Sequence, residues 1–157
     1  MIELPKGFLK KPANFFAFGL GSGCAPIAPG TWGTLVGLII YCLLPEMSLL
    51  AYLVFVFLGF LLGVYFCEKA SKDLGVHDHG GIVWDEFVGF WITMIAAPEG
   101  WQWLLIGFCL FRLFDIWKPQ PISLLDEKVT GGFGVMLDDA VAGVYAFATL
   151  QALNFIF

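Results

Sequence analysis

Charged positions divide this chain into long apolar runs. None lies between Lys11 and Glu46, and none lies within Met47–Cys67. The second run is long enough to cross a hydrocarbon core, which takes ~20 residues of helix. A first helix is predicted over about Thr31–Leu44, closed by a turn at Pro45-Glu46. It falls short of a full crossing unless the proline-rich stretch before it is also embedded, so it spans or re-enters. After Cys67 the chain turns polar, as EKASKDLGVHDHGG. A third apolar segment, Ile82–Ala97, is interrupted early by Asp85 and Glu86, and Pro98-Glu99-Gly100 reads as a turn. A fourth covers Trp101–Trp117, with Arg112 and Asp115 near its end. A polar, glycine-rich loop to about Gly134 then leads to a fifth helix over roughly Val135–Phe157. The pattern predicts an all-α fold: a polytopic membrane helical bundle of about four to five apolar helices, one integral-membrane domain over residues 1–157.

Composition sharpens that picture. The chain is 59% hydrophobic and 13% charged, with a mean hydropathy of +0.85. A soluble domain carries about 25% charged residues, so water alone is not its solvent. A net charge of −5 leaves no basic surface to neutralise a nucleic-acid backbone. No apolar stretch before the first glycines resembles a cleavable leader, so the segments are expected to be retained. Lys6, Lys10 and Lys11 precede the first span, Lys69 and Lys72 follow the second, and Arg112, Lys118 and Lys128 cluster after the fourth. Neither short turn carries Lys or Arg. The positive-inside rule then places the N-terminus and both long polar loops in the cytoplasm, and the C-terminus outside. Trp101, Trp103 and Trp117 suit interfacial anchors or packing. Cys42, Cys67 and Cys109 lie in apolar runs and read as packing residues. Gly30 stands where a cysteine phosphatase would place arginine after Cys24, which disfavours that class.

The chemistry gathers at one rim. Glu86 and Arg112 lie equal distances either side of Glu99, so folding the third and fourth segments into a hairpin brings them to one height, with Asp85 and Asp115 close by. Asp138 and Asp139 open the fifth segment at that same end. Charges in membrane helices are costly and face partners in the interior. Ion pairs with Arg112 and Lys118 would offset only part of this acidity, and a bound cation would resolve the excess. With no cysteine or histidine cluster at zinc spacing, carboxylate ligands suit Mg²⁺, or else Mn²⁺, often held together with a substrate phosphate. Arg112 and Lys118 are placed to bind phosphate oxygens. The glycine-rich stretches 19–34 and 131–134 flank the rim and suit either anion binding or tight turns and packing. His79, within His77-Asp78-His79-Gly80, is a candidate for proton transfer, with a solvated loop histidine as the alternative.

Four ordered blocks carry a family resemblance: P-G-T-x-G-T at 29–34, H-D-H-G-x-I-V-x-D-E at 77–86, F-R-x-F-D-I-x-K-P-x-P-I at 111–122, and G-G-x-G-V-M-x-D-D-x-x-A-G at 131–143. Together they make the chain resemble the phosphatidylglycerophosphatase A family over nearly its whole length. The resemblance implies a single phosphatase domain in the bacterial inner membrane. It also implies Mg²⁺-dependent hydrolysis of phosphatidylglycerophosphate to phosphatidylglycerol and inorganic phosphate, at an active site facing the cytoplasm. Carried onto this chain, the metal-binding acids are Asp85, Glu86, Asp115, Asp138 and Asp139. The catalytic set is Asp85, Glu86, Asp115, Asp139 and His79, and Arg112, Lys118, Thr31 and Thr34 would hold the phosphate. Which carboxylate is ligand, base or nucleophile stays open, although the D-x-D-x-T pattern of aspartyl-phosphate enzymes is absent. Expected partners are the lipid substrate and membrane lipids; nothing in the sequence names an oligomeric partner.

Two rival readings are a small membrane transporter and a non-catalytic membrane subunit with a charged cytoplasmic rim. Against the first, the acids lie at one rim while the middle of each span is uncharged, so no polar pathway crosses. The second leaves unexplained why several acids gather beside glycine-rich loops.

Overall fold

The computed structural model describes residues 4–77 and 79–156; Asp78 of the histidine block and Phe157 lie outside the described residues. All regular structure among them is helical. In order come α1 (Pro12–Ala17), α2 (Pro29–Leu43), α3 (Leu49–Leu74), α4 (Trp84–Thr93), α5 (Trp101–Trp117), α6 (Ile122–Lys128) and α7 (Gly131–Ile156), with 3-10 turns at Phe8–Lys10 and Gly19–Cys24.

Local chemistry sets the ends. Proline occupies the first turn of α1 and of α2, where its missing N–H costs nothing. Leu44, the residue before Pro45, is extended and stops α2. The Ser48 hydroxyl caps α3 by accepting from the Ala51 N–H. At the other end Gly75 takes φ 70, and the N–H groups of Gly75 and Val76 donate to the carbonyls of Lys72 and Ser71, a Schellman stop.

Three boundaries differ from the sequence expectation. α3 runs on to Leu74 through the polar stretch after Cys67. Its charges fall at helical spacing: Lys72 pairs with Glu68 at 2.8 Å, and Lys69 with Asp73 at 3.5 Å, both one turn apart. α4 ends at Thr93, short of Ala97. The expected glycine-rich loop before the last helix contains α6 and the first turn of α7, which begins at Gly131.

α4 is the axis of the core. Its Phe87, Val88, Phe90 and Trp91 are buried, and α7, α2 and α3 pack around it. Indole N–H groups need acceptors once dry. Trp91 Nε1 donates to the Gly37 carbonyl of α2 at 2.9 Å, and Trp84 Nε1 to the Gly59 carbonyl of α3 at 3.0 Å. The Tyr52 hydroxyl of α3 donates to the Trp91 carbonyl at 2.7 Å.

Where α4 crosses α7, glycine faces glycine. A methyl group on Gly143 would strike the Gly89 carbonyl, and one on Gly89 would meet the Phe111 ring and lie 2.9 Å from the Asp139 carbonyl. Gly89→Ala is therefore expected to destabilise the fold by about 1–3 kcal/mol. That would be read as a lower unfolding midpoint in detergent; an unchanged midpoint would rule out so close a crossing.

α3 and α7 each run 26 residues, about 39 Å at the α-helical rise, and both are apolar enough to cross a membrane. Leu50, Leu53, Phe57, Leu58, Leu61 and Tyr65 of α3 all point outward. A helix apolar on its outer face as well as its inner one belongs in lipid, so the protein is membrane-associated. Direction alternates along the chain, which gathers the starts of α2, α4 and α7 with the ends of α3 and α5. The turns after α2 and α4 lie at the opposite end, around a cavity of about 630 Å³ lined by Tyr41, Glu46, Tyr52, Met94 and Glu99.

Candidate active site

Three helices deliver acids to the first of these ends. Asp85 and Glu86 occupy the first turn of α4, where the helix N-terminus favours negative charge. Asp139 comes from α7, two turns in. One carboxylate oxygen from each of the three lies within 4.8 Å of the others. Asp85 and Asp139 are 9% and 3% exposed. From the last turns of α5, Arg112 Nη1 reaches Glu86 Oε1 at 3.8 Å and touches Asp115 Oδ2. Asp115 is in turn a neighbour of Asp139.

Partners run out before the acids do. Asp85 Oδ1, Glu86 Oε2 and Asp139 Oδ2 are buried without a hydrogen-bond partner, as is Arg112 Nε. In this pocket four carboxylates (Asp85, Glu86, Asp115, Asp139) face the single guanidinium of Arg112. A buried charge left unpaired is strongly destabilising. Convergent hard oxygen atoms with free lone pairs are the donor set that fits a divalent hard cation, so this buried acidic group could hold a metal ion.

α2 closes the pocket with backbone. Its N-terminus carries no side-chain cap. Gly30, in its first turn, lies so close that a methyl group there would touch Glu86 Oε1 and stand 3.1 and 3.2 Å from Arg112 Nη1 and Nη2. Sequence reasoning marked this glycine-rich entry but not the residue that roofs the site.

Other predicted residues stand elsewhere. Asp138, beside Asp139 in sequence, turns to Lys118 Nζ at 2.9 Å. Lys118, just past α5 in a left-handed conformation, also pairs with Asp126 of α6 at 3.0 Å. Burial pulls the Lys118 ammonium down, but the hydrogen bonds and charges of Asp138 and then Asp126 outweigh it and raise its pKa above the usual lysine value. Asp126 escaped the sequence reading because it sits in a stretch read as loop. Thr34 is fully buried, and its hydroxyl donates to the Gly30 carbonyl. Thr31 lies partly exposed in the same first turn. His79 Nδ1 accepts from the Gly81 N–H at 3.0 Å, and its ring stacks on Phe18. At the start of α7 the Gly132 N–H donates to Glu68 Oε2 at 2.6 Å, so a carboxylate of α3 already serves that helix terminus.

Comparison with known proteins agrees over most of the chain. A Haemophilus influenzae phosphatidylglycerophosphatase A is 49% identical across 97% of this chain and 94% of its own. The Escherichia coli phosphatidylglycerophosphatase A is 48% identical across 93% of this chain and 86% of its own. A Bacteroides thetaiotaomicron protein, provisionally designated a phosphatidylinositol-3-phosphatase, is 41% identical across 88% of this chain and 91% of its own. No solved structure matches. The family model for phosphatidylglycerophosphatase A matches residues 15–154, and the chain belongs to that family.

Proposed function

We propose that this protein hydrolyses phosphatidylglycerophosphate to phosphatidylglycerol and inorganic phosphate, as a multi-pass enzyme of a bacterial inner membrane. The observation that carries this reading is the trio of buried, partnerless carboxylate oxygens beside Arg112, in a chain nearly half identical to two proteins named for that reaction. Asp85, Glu86 and Asp139 hold Mg²⁺, which when bound neutralises charge on the phosphoryl oxygens. Arg112 binds the monoester oxygens, with its Nε N–H, which has no partner in the protein, among the donors. Asp115, in contact with Arg112 and next to Asp139, accepts a proton from the attacking water. As the water oxygen bonds to phosphorus, the phosphorus–oxygen bond to the lipid glycerol breaks, and the leaving oxygen takes up the proton that Asp115 received, giving the alcohol of the product. Thr34 holds the Gly30 turn through its hydroxyl, with Thr31 in the same turn, and His79 is the candidate proton carrier from the loop before α4.

Orientation follows the basic residues. Lys11, Lys69, Lys72, Lys118 and Lys128 all belong to segments at the site's end, and the two turns at the far end carry none. That asymmetry supports a cytoplasmic site with acyl chains left in the leaflet. The middle of each span carries no charge, which also weighs against a transporter, whose pathway would continue across.

Detergent-purified protein is expected to release inorganic phosphate from phosphatidylglycerophosphate in Mg²⁺, and to stop when a chelator is in excess. Folded protein that releases none would overturn the proposed reaction; release indifferent to the chelator would remove the metal.

A further inference from the structure

The lipid proposed as substrate bears two phosphates. The terminal monoester is cleaved, and the phosphodiester on the far side of a glycerol survives into the product. Arg112 and the three-carboxylate group account only for the first. The second is an anion that must be held beside that pocket, and it calls for another cation.

Lys118 has the right place for it. Its ammonium pairs with Asp138 at 2.9 Å, and the next residue, Asp139, is one of the three clustered carboxylates, so this cation stands beside the monoester pocket. Its side chain is 29% exposed against 15% for Arg112. The other ion-paired lysines at this end, Lys11, Lys69 and Lys72, are engaged with Asp73 or Glu68 of α3, away from α5.

The two partners of Lys118 are unequal. Asp138 is buried, its side chain 8% exposed, and needs the ammonium to compensate its charge. Asp126 is 43% exposed, on the short helix α6. An exposed ion pair contributes little and is readily exchanged for another anion. Asp126 Oδ1 sits 3.0 Å from Lys118 Nζ, where a phosphate oxygen would sit.

We propose that Asp126 occupies, in the lipid-free protein, the place on Lys118 that the substrate phosphodiester takes, so that Lys118 selects head groups carrying a second phosphate. This rests on the phosphatase reading above. Asp126 then competes with the lipid, and removing it improves binding, the opposite of what loss of a merely structural ion pair would do.

The two reaction products separate the two positions, since phosphatidylglycerol keeps only the diester and inorganic phosphate mimics only the monoester. Inhibition constants for both are measured on the full-length, Mg²⁺-loaded enzyme with phosphatidylglycerophosphate as substrate, in wild type, Asp126→Asn and Asp126→Glu. Asp126→Asn is expected to tighten inhibition by phosphatidylglycerol about three- to fivefold, to lower the substrate KM by a similar factor, and to leave the inorganic phosphate constant unchanged. Asp126→Glu is expected to restore wild-type values. Weaker phosphatidylglycerol inhibition in Asp126→Asn, no inhibition by it in any form, or an equal shift for both products would overturn the proposal. Wild-type enzyme inactive on phosphatidylglycerophosphate would instead remove the underlying reading.

Discussion

Asp139→Asn is expected to lower phosphate release by on the order of 10³-fold while making the metal-free protein harder to unfold. Both effects come from one feature. Asp139 is 3% exposed, its Oδ2 has no partner, and a carboxylate oxygen of Asp85 and one of Glu86 stand within 4.8 Å of its own. Without a cation these groups repel one another in a site from which water is largely excluded. An amide removes one of the charges at nearly constant shape, so the empty pocket relaxes. The same change deletes a metal ligand. A ligand that binds only the folded state stabilises it by about 2.7 kcal/mol at a hundredfold excess over its Kd, so wild-type protein gains thermal stability on adding Mg²⁺, and Asp139→Asn does not. Asp138→Asn is the control: its carboxylate faces Lys118, and the Mg²⁺-dependent shift should survive. Thermal unfolding in detergent with and without Mg²⁺ reads all three proteins. A full Mg²⁺ shift in Asp139→Asn would show that the cation binds elsewhere.

How much of this was legible beforehand depends on the kind of signal. The gathering of Asp85 and Glu86 with Arg112 and Asp115 followed from arithmetic on either side of a turn, because α-helical rise is constant and the Pro98-Gly100 corner is unambiguous. The polar stretch after Cys67 misled, since charge was taken for loop. Yet Glu68 with Lys72 and Lys69 with Asp73 already had the one-turn spacing of a helix that leaves the apolar region and continues. Gly131-Gly132 read as loop for a different reason. Glycine punctuates loops in most contexts, but a methyl group on Gly132 would collide with the Val64 carbonyl and the Glu68 N–H of α3. Such a requirement lives in the partner helix and is invisible in the local sequence. The division of labour between Asp138 and Asp139 was equally hidden. Adjacent helical positions point about 100° apart, and only the position of Lys118 shows which one looks toward the metal pocket.

Gly30→Ala separates stability from activity in the other direction. Alanine is the better helix former by about 1 kcal/mol, and Gly30 does not take the left-handed backbone that would make a side chain strained. The atoms its methyl group would meet, Glu86 Oε1 and the Arg112 terminal nitrogens, are ends of flexible side chains and can swing aside without moving α2. The fold should therefore tolerate the change, whereas Gly33→Ala, three residues on, would press its methyl group to 2.7 Å from Val83 Cβ and 3.2 Å from the Val83 carbonyl and lower the unfolding midpoint. What Gly30→Ala displaces is the pairing of the proposed metal ligand with the proposed phosphate ligand. A displacement of about 1 Å within such a constellation costs on the order of 10²-fold, and that loss in kcat/KM is the expected result, at an unfolding midpoint equal to or above wild type. If activity survives, the pairing of Glu86 with Arg112 is not needed for the reaction. If stability falls with activity, Glu86 and Arg112 are not free to swing aside, and Gly30 serves packing before it serves chemistry.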